Sequence, residues 1–508
     1  MADMNNNLYS HFQKQFELHA DKELLRTETN HSYSYADVEQ ESARLAAFIT
    51  GLGLMPGDRV SVQVAKSPKC LCLYLACLRG GFVFHPLNPA YQPRELEYFL
   101  KDAEPSLVVC DDQCKPRIQK VCQALDIANV LTLNAAGEGT LISLSRDTAG
   151  EFGVVPRSDD DLGALLYSSG TTGVPKGIML THGNLRSNTE ALVKAWDFSS
   201  SDRLLHALPV FHVHGLFVAI GCVLLSGASM RWLSSWSAEL AARFLPECTV
   251  MMGVPTFYTR LLALEGFSDK TCENLRLFIS GSAPLLVETF AEFESRTGHR
   301  ILERYGMTET NMNTSNPLDG ERKAGTVGLP LPGVSVRVVD REGAVLPAGD
   351  IGDLQVRGAN VFKGYWKMPA KTSEDFTDEG FFNTGDKATV DADGYVSIVG
   401  RSKDLIITGG LNVYPREVEL FLDTISGVKE SAVIGVPHAD FGEAVVAVIV
   451  EKPGTKLNEE SVIEAAKVAV ANFKVPKRVV FVPELPRNTM AKVQKNVLRE
   501  SCSGLFTT

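Results

Sequence analysis

The feature that most constrains the fold is the alternation of strand-like and helix-like segments over residues 8–160. Residues 58–64 alternate in side-chain character as a strand does, and residues 35–48 place apolar side chains at helical spacing. Cys70, Cys72 and Cys77 lie in an apolar run that is typical of a buried helix. Such alternation predicts a layered α/β domain with largely parallel strands, and residues 136–160 are expected to be a connecting loop.

The length and the net charge of the chain limit its possible architectures and partners. A chain of 508 residues is too long for one core, so two or more domains are expected. The net charge of −11 excludes nucleic acid as the main partner, because no basic block offsets the acidity. We expect no integral membrane association, since the apolar stretches are too short to cross a bilayer. The sequence leaves the oligomeric state open.

The cysteines and the N-terminal residues predict a cytoplasmic protein. Residues 1–8 have neither a cationic segment nor an apolar segment of the kind that a secretory signal needs. The ten cysteines show no paired CxxC spacing, and no two histidines are spaced as in a zinc site. Free thiols in a reducing compartment are therefore expected.

Residues 167–177, Tyr-Ser-Ser-Gly-Thr-Thr-Gly-Val-Pro-Lys-Gly, predict a site for phosphate. An apolar strand precedes them at residues 162–166, and the segment then combines glycines, hydroxyls and Lys176. Backbone N–H groups and hydroxyls can surround a polyanion while the lysine adds a point charge. It is not the P-loop pattern, because Pro175 stands where that pattern has glycine. A plain surface loop is the alternative, since such composition is common between elements.

A second motif, residues 302–310, has the sequence Leu-Glu-Arg-Tyr-Gly-Met-Thr-Glu-Thr. Tyr305 can stack on a purine, and the oxygens of Thr308 and Glu309 suit a magnesium ion that is bound to phosphate. Upstream, residues 277–284 read as a strand followed by a turn of small residues, where a flat ring can approach closely.

These motifs resemble those of the adenylate-forming superfamily, which includes acyl-CoA synthetases, adenylation domains of peptide synthetases and luciferases. The resemblance covers about residues 10 to 500 and implies ATP and CoA as co-substrates, Mg²⁺ as the cofactor and a small carboxylic acid as the substrate. It implies that Thr171 and Glu309 hold the metal. The residues implied to bind ATP or AMP are Ser168, Ser169, Gly170, Thr171, Thr172, Gly173, Lys176, Gly281, Ser282, Ala283, Arg304, Tyr305, Gly306, Met307, Thr308, Asp386, Arg401 and Lys492.

The resemblance also implies an architecture. A large N-terminal domain, residues 1–401, would combine layered α/β subdomains with a β-rich subdomain. A small mobile α/β domain, residues 402–508, would rotate about a hinge at Lys403. On this reading Gly409 and Gly410 line the channel for the pantetheine arm of CoA.

Lys492 matches the catalytic lysine of the superfamily, which neutralises charge while the acid attacks the α-phosphate. The superfamily has glycine immediately before this lysine, whereas this chain has Ala491. If the position needs a positive φ, alanine adds roughly 1 kcal/mol or more of strain. We therefore expect the adenylation step to be weakened if that conformation is used.

The segments VPTFYTR, GSAPL and VFKGYW, with the motif at residues 302–310, resemble those of malonyl-CoA synthetases. This resemblance implies that the acid is malonate, with methylmalonate as a further candidate. The second carboxylate of such an acid needs a cation, and arginine can bind it bidentately. The resemblance points to Arg260 for this role, with His212 and His214 in the acyl pocket and His212 gating the approach of the thiol. From the residues alone, Arg260 is an ordinary surface arginine and Thr256 is the expected N-cap of its helix.

Three alternatives stay open. The same motifs suit a CoA ligase for a fatty or aromatic monocarboxylic acid. They also suit a stand-alone adenylation enzyme that loads a carrier protein. A non-catalytic nucleotide sensor is favoured only by Ala491.

Overall fold

The computed structural model describes residues 5–91, 93–168, 175–401, 404–408, 411–438, 441–470, 472–488 and 491–506. For residues 93, 94, 401, 411, 412 and 442 it describes the backbone alone.

The helices of the described residues are α1 (Leu8–Leu18), α2 (Tyr35–Gly51), α3 (Pro68–Gly80), α4 (Pro93–Ala103), α5 (Lys115–Ala124), α6 (Thr140–Ser145), α7 (His182–Ala195), α8 (Ile220–Ser226), α9 (Ala238–Phe244), α10 (Pro255–Leu262), α11 (Val287–Thr297), α12 (Pro369–Asp375), α13 (Pro415–Leu422), α14 (Glu459–Ala469) and α15 (Lys495–Cys502). A π-helix, His214–Ala219, leads directly into α8. Short 3₁₀ turns cover Leu245–Glu247, Asp269–Cys272 and Asn472–Lys474.

The strands are β1 (Glu23–Thr27), β2 (Ser32–Ser34), β3 (Arg59–Gln63), β4 (Val83–Pro86), β5 (Leu107–Cys110), β6 (Asn129–Thr132), β7 (Leu162–Ser168), β8 (Lys176–Thr181), β9 (Arg203–His206), β10 (Ser229–Trp232), β11 (Val250–Gly253), β12 (Leu277–Ser280), β13 (Leu302–Met307), β14 (Asn311–Ser315), β15 (Leu329–Pro330), β16 (Val334–Val339), β17 (Gly352–Gly358), β18 (Gly364–Tyr365), β19 (Phe382–Val390), β20 (Val396–Arg401), β21 (Ile406–Thr408), β22 (Leu411–Val413), β23 (Val428–His438), β24 (Gly442–Glu451) and β25 (Arg478–Phe481).

The chain divides into two compact units, Met1–Ser335 with Val356–Phe382, and Val336–Gln355 with Asn383–Thr508. The first unit has a nine-stranded sheet, in the order β15-β14-β13-β12-β11-β9-β10-β1-β2, and a seven-stranded sheet, in the order β18-β8-β7-β4-β3-β5-β6. In the nine-stranded sheet the strands from β13 to β1 pair in parallel. The predicted α/β class, with a large N-terminal and a smaller C-terminal part, is confirmed.

The second unit is built around a five-stranded sheet, ordered β22-β21-β24-β23 with β25 beside β24. Successive side chains of β23 and β24 point to opposite faces of this sheet. Both faces are buried, because helices of the same unit cover each of them. One face packs against α13 and α14 through Val418, Leu422 and Val462. The other packs against α15 through Leu498 and Cys502.

A further sheet, in the order β16-β17-β19-β20, falls mostly in the second unit. It bears out the expectation of short strands between residues 323 and 400. Our predicted domain boundary, at residues 401 and 402, stays a prediction.

The cysteine-bearing helix α3 shows why the sequence dictates this fold locally. The Ser67 side chain accepts from the Cys70 N–H, Pro68 occupies the first turn, and Gly81 ends the helix at a φ of 71°. Ser67 and Pro68 satisfy or remove N–H groups that a helix N-terminus leaves unpaired, and glycine tolerates positive φ. The residues of α3 from Cys70 onward are buried, as expected for an apolar helix between other elements.

Two local predictions are wrong. Residues 136–160 contain the short helix α6, which the polar composition concealed. Helix α10 begins at Pro255, with Val254 rather than Thr256 as its N-cap, because proline suits the first helical position.

Candidate active site

The predicted phosphate loop connects two paired strands of the first unit. Strands β7 and β8 are antiparallel, with Ser168 opposite Lys176 in the register. The strand expected before the loop is confirmed, and the residues after it form a second strand. Ser169, Gly170, Thr171, Thr172 and Gly173 lie outside the described residues. The two ends of the loop, Ser168 and Lys176, are therefore held side by side by the sheet.

Lys176 contacts an aromatic residue that the sequence analysis did not single out. Its Nζ lies 4.3 Å from the ring centroid of Tyr365, which strand β18 carries alongside β8. Burial raises the pKa of Tyr365, and the carboxylates of Glu309 and Asp375 raise it further. Lys176 and Glu309, far apart in sequence, thus both lie close to Tyr365. A strand of two residues leaves no periodic pattern, so the sequence could not reveal this contact.

Glu309 lies in the turn between β13 and β14 and is buried. The backbone N–H of Phe362 donates to its carbonyl oxygen at 2.7 Å, which ties the turn to the segment before β18. Gly306 is required here, because a Cβ at this position would lie 1.9 Å from the carbonyl oxygen of Asn311. Tyr305, Gly306, Met307 and Thr308 are all half-buried.

His212 and Thr308 meet at a small cavity. Its volume is about 30 Å³, and Tyr167, Phe211, His212 and Thr308 are among its lining residues. The rings of Phe211 and His212 lie 4.5 Å apart, centroid to centroid. The hydroxyl of Tyr167 donates to Asp102 at 2.5 Å, which fixes this ring beside the phosphate loop. The structure therefore brings residues from three predicted motifs to one place.

His214 is buried within the π-helix and faces the turn after β12. Its Nδ1 lies 3.3 Å from the Ser282 hydroxyl oxygen, within hydrogen-bond distance. Burial lowers the pKa of His214 well below its usual value, with the charge of Arg304 next in importance, so the ring is neutral at physiological pH. Gly215 permits the close turn, because a Cβ there would lie 2.0 Å from the carbonyl oxygen of Pro209. Single π-helical turns of this kind are frequent at functional sites.

The turn after β12 is conformationally unusual. Ser282 has a φ of 72°, which is rare for a residue with a side chain. Gly281 precedes it and Ala283 follows it, both close to the end of β12. A Cβ at Gly281 would lie 2.5 Å from the Cζ of Arg304, so the arginine packs directly against this backbone.

Arg304 is almost entirely enclosed, with 2% of its surface exposed. Its Nε and Nη2 have no hydrogen-bond partner among the described residues. Burial lowers the pKa of Arg304 to about 10, so the side chain keeps its charge at neutral pH. A buried guanidinium with unpaired N–H groups is costly unless an anion completes it.

Arg260, the residue predicted to bind the second carboxylate, lies on α10. It is exposed on α10, next to the exposed Thr259, while Phe257 and Tyr258 of the same helix are buried. Phe257 stacks on Trp236, with 6° between the ring planes. The role predicted for Arg260 toward a substrate carboxylate stays a prediction.

Asp386 and Arg401 lie in the second unit, directly opposite each other in the register of β19 and β20. Asp386 is buried, and the side chain of Arg401 is outside the described atoms. Their predicted contact with the ribose hydroxyls stays a prediction. Lys403, Gly409 and Gly410 also lie outside the described residues.

Lys492 follows a tight turn in the second unit. The N–H of Ala491 donates to the carbonyl oxygen of Asn488 at 2.9 Å, and the N–H of Lys492 donates to Oδ1 of Asn488 at 3.0 Å. Arg487 and Val493 form an antiparallel bridge across the base of the turn. Ala491 has a φ of 59°, the conformation that favours glycine.

Among the residues that the structure describes, no group of three or more His, Cys, Asp or Glu side chains could hold a metal ion. Nor does any helix in those ranges have the length and hydropathy that crossing a membrane requires.

Comparison with known proteins places the chain in a family. Residues 12–366 match the family described as AMP-binding enzyme, and residues 417–492 match the AMP-binding enzyme C-terminal domain. A crystal structure of ATP-bound MatB from Rhodopseudomonas palustris is 50% identical in sequence, with a TM-score of 0.96, and the match covers 99% of this chain and 100% of that one.

Curated relatives span nearly the whole chain. A mitochondrial malonate–CoA ligase of Mus musculus is 36% identical, over 92% of this chain and 86% of the relative. A long-chain-fatty-acid–CoA ligase of Bacillus subtilis is 32% identical, over 92% of this chain and 90% of the relative. The predicted class of enzyme, an AMP-forming acyl-CoA synthetase, is confirmed by these matches, and the chain belongs to the AMP-binding enzyme family.

Proposed function

We propose that this protein is an ATP-dependent malonate–CoA ligase, which converts malonate, ATP and CoA to malonyl-CoA, AMP and diphosphate. The observation that carries the proposal is the site in which Lys176 and Glu309 both lie close to Tyr365. Relatives that match over 92% of this chain include malonate–CoA ligases. Methylmalonate is a further proposed substrate.

In the first step a malonate carboxylate oxygen attacks the α-phosphorus of ATP, and the bond to the leaving diphosphate breaks. Both reactants are anions, so the protein contributes positioning and charge neutralisation rather than a nucleophile of its own. Lys176 and the hydroxyls of residues 168–172 are proposed to hold the departing diphosphate. Tyr305, Asp386 and Arg401 are proposed to hold the nucleoside, and Lys492 to neutralise the attacked phosphate.

We propose Mg²⁺ as the cofactor of this site. The Glu309 carboxylate and the Thr171 hydroxyl would hold the ion, because Mg²⁺ prefers a few protein oxygens and completes its shell with phosphate oxygens and water. When bound, it would neutralise charge on the β- and γ-phosphates. The buried position of Glu309, close to Tyr365, supports this assignment.

In the second step the CoA sulfur attacks the acyl carbon, the bond to AMP breaks, and the thiol proton leaves to solvent. We propose that the small domain turns about Lys403 between the steps and that Gly409 and Gly410 admit the pantetheine arm. His212 is proposed to gate the approach of the thiol, and its position at the cavity beside Thr308 supports that role.

A cytoplasmic location is part of the proposal. All ten cysteines are free, and all except Cys114 are buried. Free thiols suit a reducing compartment. Cell fractionation would test the location.

A monocarboxylic acid is the second candidate substrate, since a Bacillus subtilis relative at 32% identity is named for long-chain fatty acids. A carrier-protein acceptor in place of CoA is the other alternative. Both reactions share the adenylation chemistry, so they differ from our proposal in the acid or in the thiol.

The acceptor can be tested directly. The purified protein is given malonate, ATP and Mg²⁺ together with either CoA or a phosphopantetheinylated carrier protein, and the products are separated by mass spectrometry. We expect malonyl-CoA and AMP in equal amounts. Lys492→Ala should slow adenylation by about 100-fold or more, because it removes preorganised charge stabilisation. Lys467→Ala, at an exposed lysine of α14, is the matched control and should keep the parent rate. Malonyl carrier protein without malonyl-CoA would contradict the proposal.

A further inference from the structure

We infer that helix α4 holds the phosphate loop, residues 167–177, in place for the diphosphate, with Tyr98 fixing one end of the loop and Asp102 the other. The inference rests on the proposed function, in which this loop binds the departing diphosphate, and deepens it. Both residues act through the loop, so they are positioning residues.

The two residues contact the loop on either side of its centre. Tyr98 and Asp102 are four residues apart in α4, a spacing that places two side chains on one face of a helix. The hydroxyl of Tyr98 donates to the carbonyl oxygen of Pro175 at 2.7 Å. The carboxylate of Asp102 accepts from the hydroxyl of Tyr167 at 2.5 Å. One bond therefore holds the chain before residues 169–174, and the other holds it after them.

Aromatic packing strengthens the contact at Tyr167. Its ring centroid lies 5.0 Å from that of Phe99 and 6.4 Å from that of Tyr98, and both pairs meet edge to face. Edge-to-face contact is a favoured arrangement of two aromatic rings. Burial raises the pKa of Tyr167, and the Asp102 carboxylate raises it further. The hydroxyl therefore keeps the proton that it donates to Asp102 at neutral pH.

Helix α4 is itself fixed at its C-terminal end, where a helix leaves carbonyl oxygens without partners. The carbonyl oxygen of Asp102 accepts from Nε1 of Trp366 at 2.9 Å. The carbonyl oxygen of Ala103 accepts from Nε of Arg59 at 2.8 Å. Arg59 belongs to β3, and its guanidinium lies 5.6 Å from the centroid of the Trp366 ring. The helix is thus tied to a strand of the seven-stranded sheet.

Trp366 also contacts the strand that follows the loop. Its backbone N–H donates to the carbonyl oxygen of Gly177 at 2.7 Å. A Cβ at Gly177 would lie 2.9 Å from the Cβ of Trp366, so glycine permits this close approach. Tyr365, the preceding residue, carries the ring that Lys176 contacts. The same tryptophan therefore connects α4 to the strand that bears Lys176.

A loop that is fixed at both ends binds an anion better than a loose one. Ordering a residue on binding costs conformational entropy, and a preorganised site avoids that cost. Loosening the ends of the loop should therefore weaken binding of the β- and γ-phosphates. The proposed nucleoside contacts come from other segments and should be unaffected. Since AMP lacks those two phosphates, a comparison of ATP with AMP isolates the effect.

The test measures the Kd for ATP and the Kd for AMP by isothermal titration calorimetry, with Mg²⁺ and without an acid. We expect Tyr98→Phe, which removes only the hydroxyl, to raise the Kd for ATP by about three- to tenfold, the range for one hydrogen bond. Asp102→Ala should raise it by a similar factor. The Kd for AMP should change by less than about twofold in both variants.

Two further variants serve as controls. Asp102→Asn keeps an oxygen that can accept from Tyr167, so most of the affinity for ATP should be retained. Glu97→Ala, at an exposed carboxylate of the same helix, is the matched control and should keep the parent Kd for ATP. Circular dichroism and the Kd for AMP establish that each variant is folded.

Three results would overturn the inference. One is an equal loss of affinity for ATP and AMP, which is the signature of a general structural role. Another is an unchanged Kd for ATP in both Tyr98→Phe and Asp102→Ala. The third is a loss in Asp102→Asn as large as that in Asp102→Ala. Because the binding assay needs no acid, a parent enzyme that binds ATP but releases no diphosphate with malonate would refute the proposed function alone.

Discussion

At the scale of single residues, the departure at Ala491 has a measurable consequence. Its φ of 59° is the left-handed conformation, in which a Cβ costs about 1 kcal/mol or more. The turn nevertheless keeps its hydrogen bonds to Asn488, so the cost is local strain rather than a lost structure.

We predict that Ala491→Gly stabilises the protein by up to about 1 kcal/mol and leaves the rate of adenylation within about twofold of the parent. A strain that is present equally before the reaction and in the transition state does not change the barrier between them. Thermal unfolding and diphosphate release measure the two effects. The matched control is Ala465→Gly, inside α14, which should lose about 1 kcal/mol because glycine disfavours a helix interior. Equal destabilisation by both changes would contradict the argument.

At the residue level, the sequence predicts site residues where a motif carries its own chemistry. The structure places Glu309 close to Tyr365 and places Thr308 and His212 at one cavity, while their roles toward the reacting groups stay predictions. Tyr365 was missed, because its role depends on β18 pairing with β8 across a long stretch of sequence. The unpaired state of Arg304 was equally invisible, since hydrogen-bond partners are set by tertiary packing.

At the scale of elements, a histidine joins α1 to α7. The N–H of Leu8, at the start of α1, donates to the Nδ1 of His182, the first residue of α7, at 3.0 Å. Burial lowers the pKa of His182 to about 4, with a contribution from Arg157, while Asp161 and Asp159 oppose the shift. A protonated ring cannot accept this hydrogen bond.

The sign of the pH effect follows from these values. Between pH 4 and the ordinary histidine pKa of about 6.5, the unfolded chain binds more protons at this position than the folded chain, so stability rises with pH. The contribution is fully present above about pH 6.5 and is lost as the pH falls toward the folded pKa. At about pH 5 this loss lowers the free energy of unfolding by about 2 kcal/mol.

We therefore predict that lowering the pH from about 7 to about 5 decreases the unfolding free energy of the parent by about 2 kcal/mol more than that of His182→Gln. Glutamine can still accept the N–H of Leu8 but does not titrate. Urea unfolding at both pH values provides the measurement. His31→Gln, on the surface, is the control and should leave the pH dependence as in the parent. An unchanged dependence in His182→Gln would refute this account of the helix contact.

Elements with a long, regular pattern were predicted well, and irregular ones were not. Helices α2 and α3 and strands β23 and β24 follow from periodicity and capping residues. The π-helix at His214–Ala219 and the short helix α6 have no such pattern. Their conformations depend on neighbours, such as the close approach of Gly215 to Pro209.

At the scale of the whole molecule, the α/β class followed from the alternation of strands and helices. The division into units did not follow a single cut in the sequence, since Val336–Gln355 belongs with the second unit and Val356–Phe382 with the first. Sheet pairing between distant segments decides that division, and no local pattern records it. Four of the proposed site residues that the structure describes, Lys176, Glu309, His212 and Arg304, belong to the first unit, and Asp386 and Lys492 to the second.

The central claim is the identity of the acid, and diphosphate release across a panel of acids tests it most directly. Malonate, methylmalonate, acetate and octanoate are each supplied with ATP, Mg²⁺ and CoA, and kcat/KM is compared. We expect the highest kcat/KM for malonate, with measurable turnover of methylmalonate and much lower values for acetate and octanoate. A preference for octanoate, or ATP binding without diphosphate release for any acid, would contradict it.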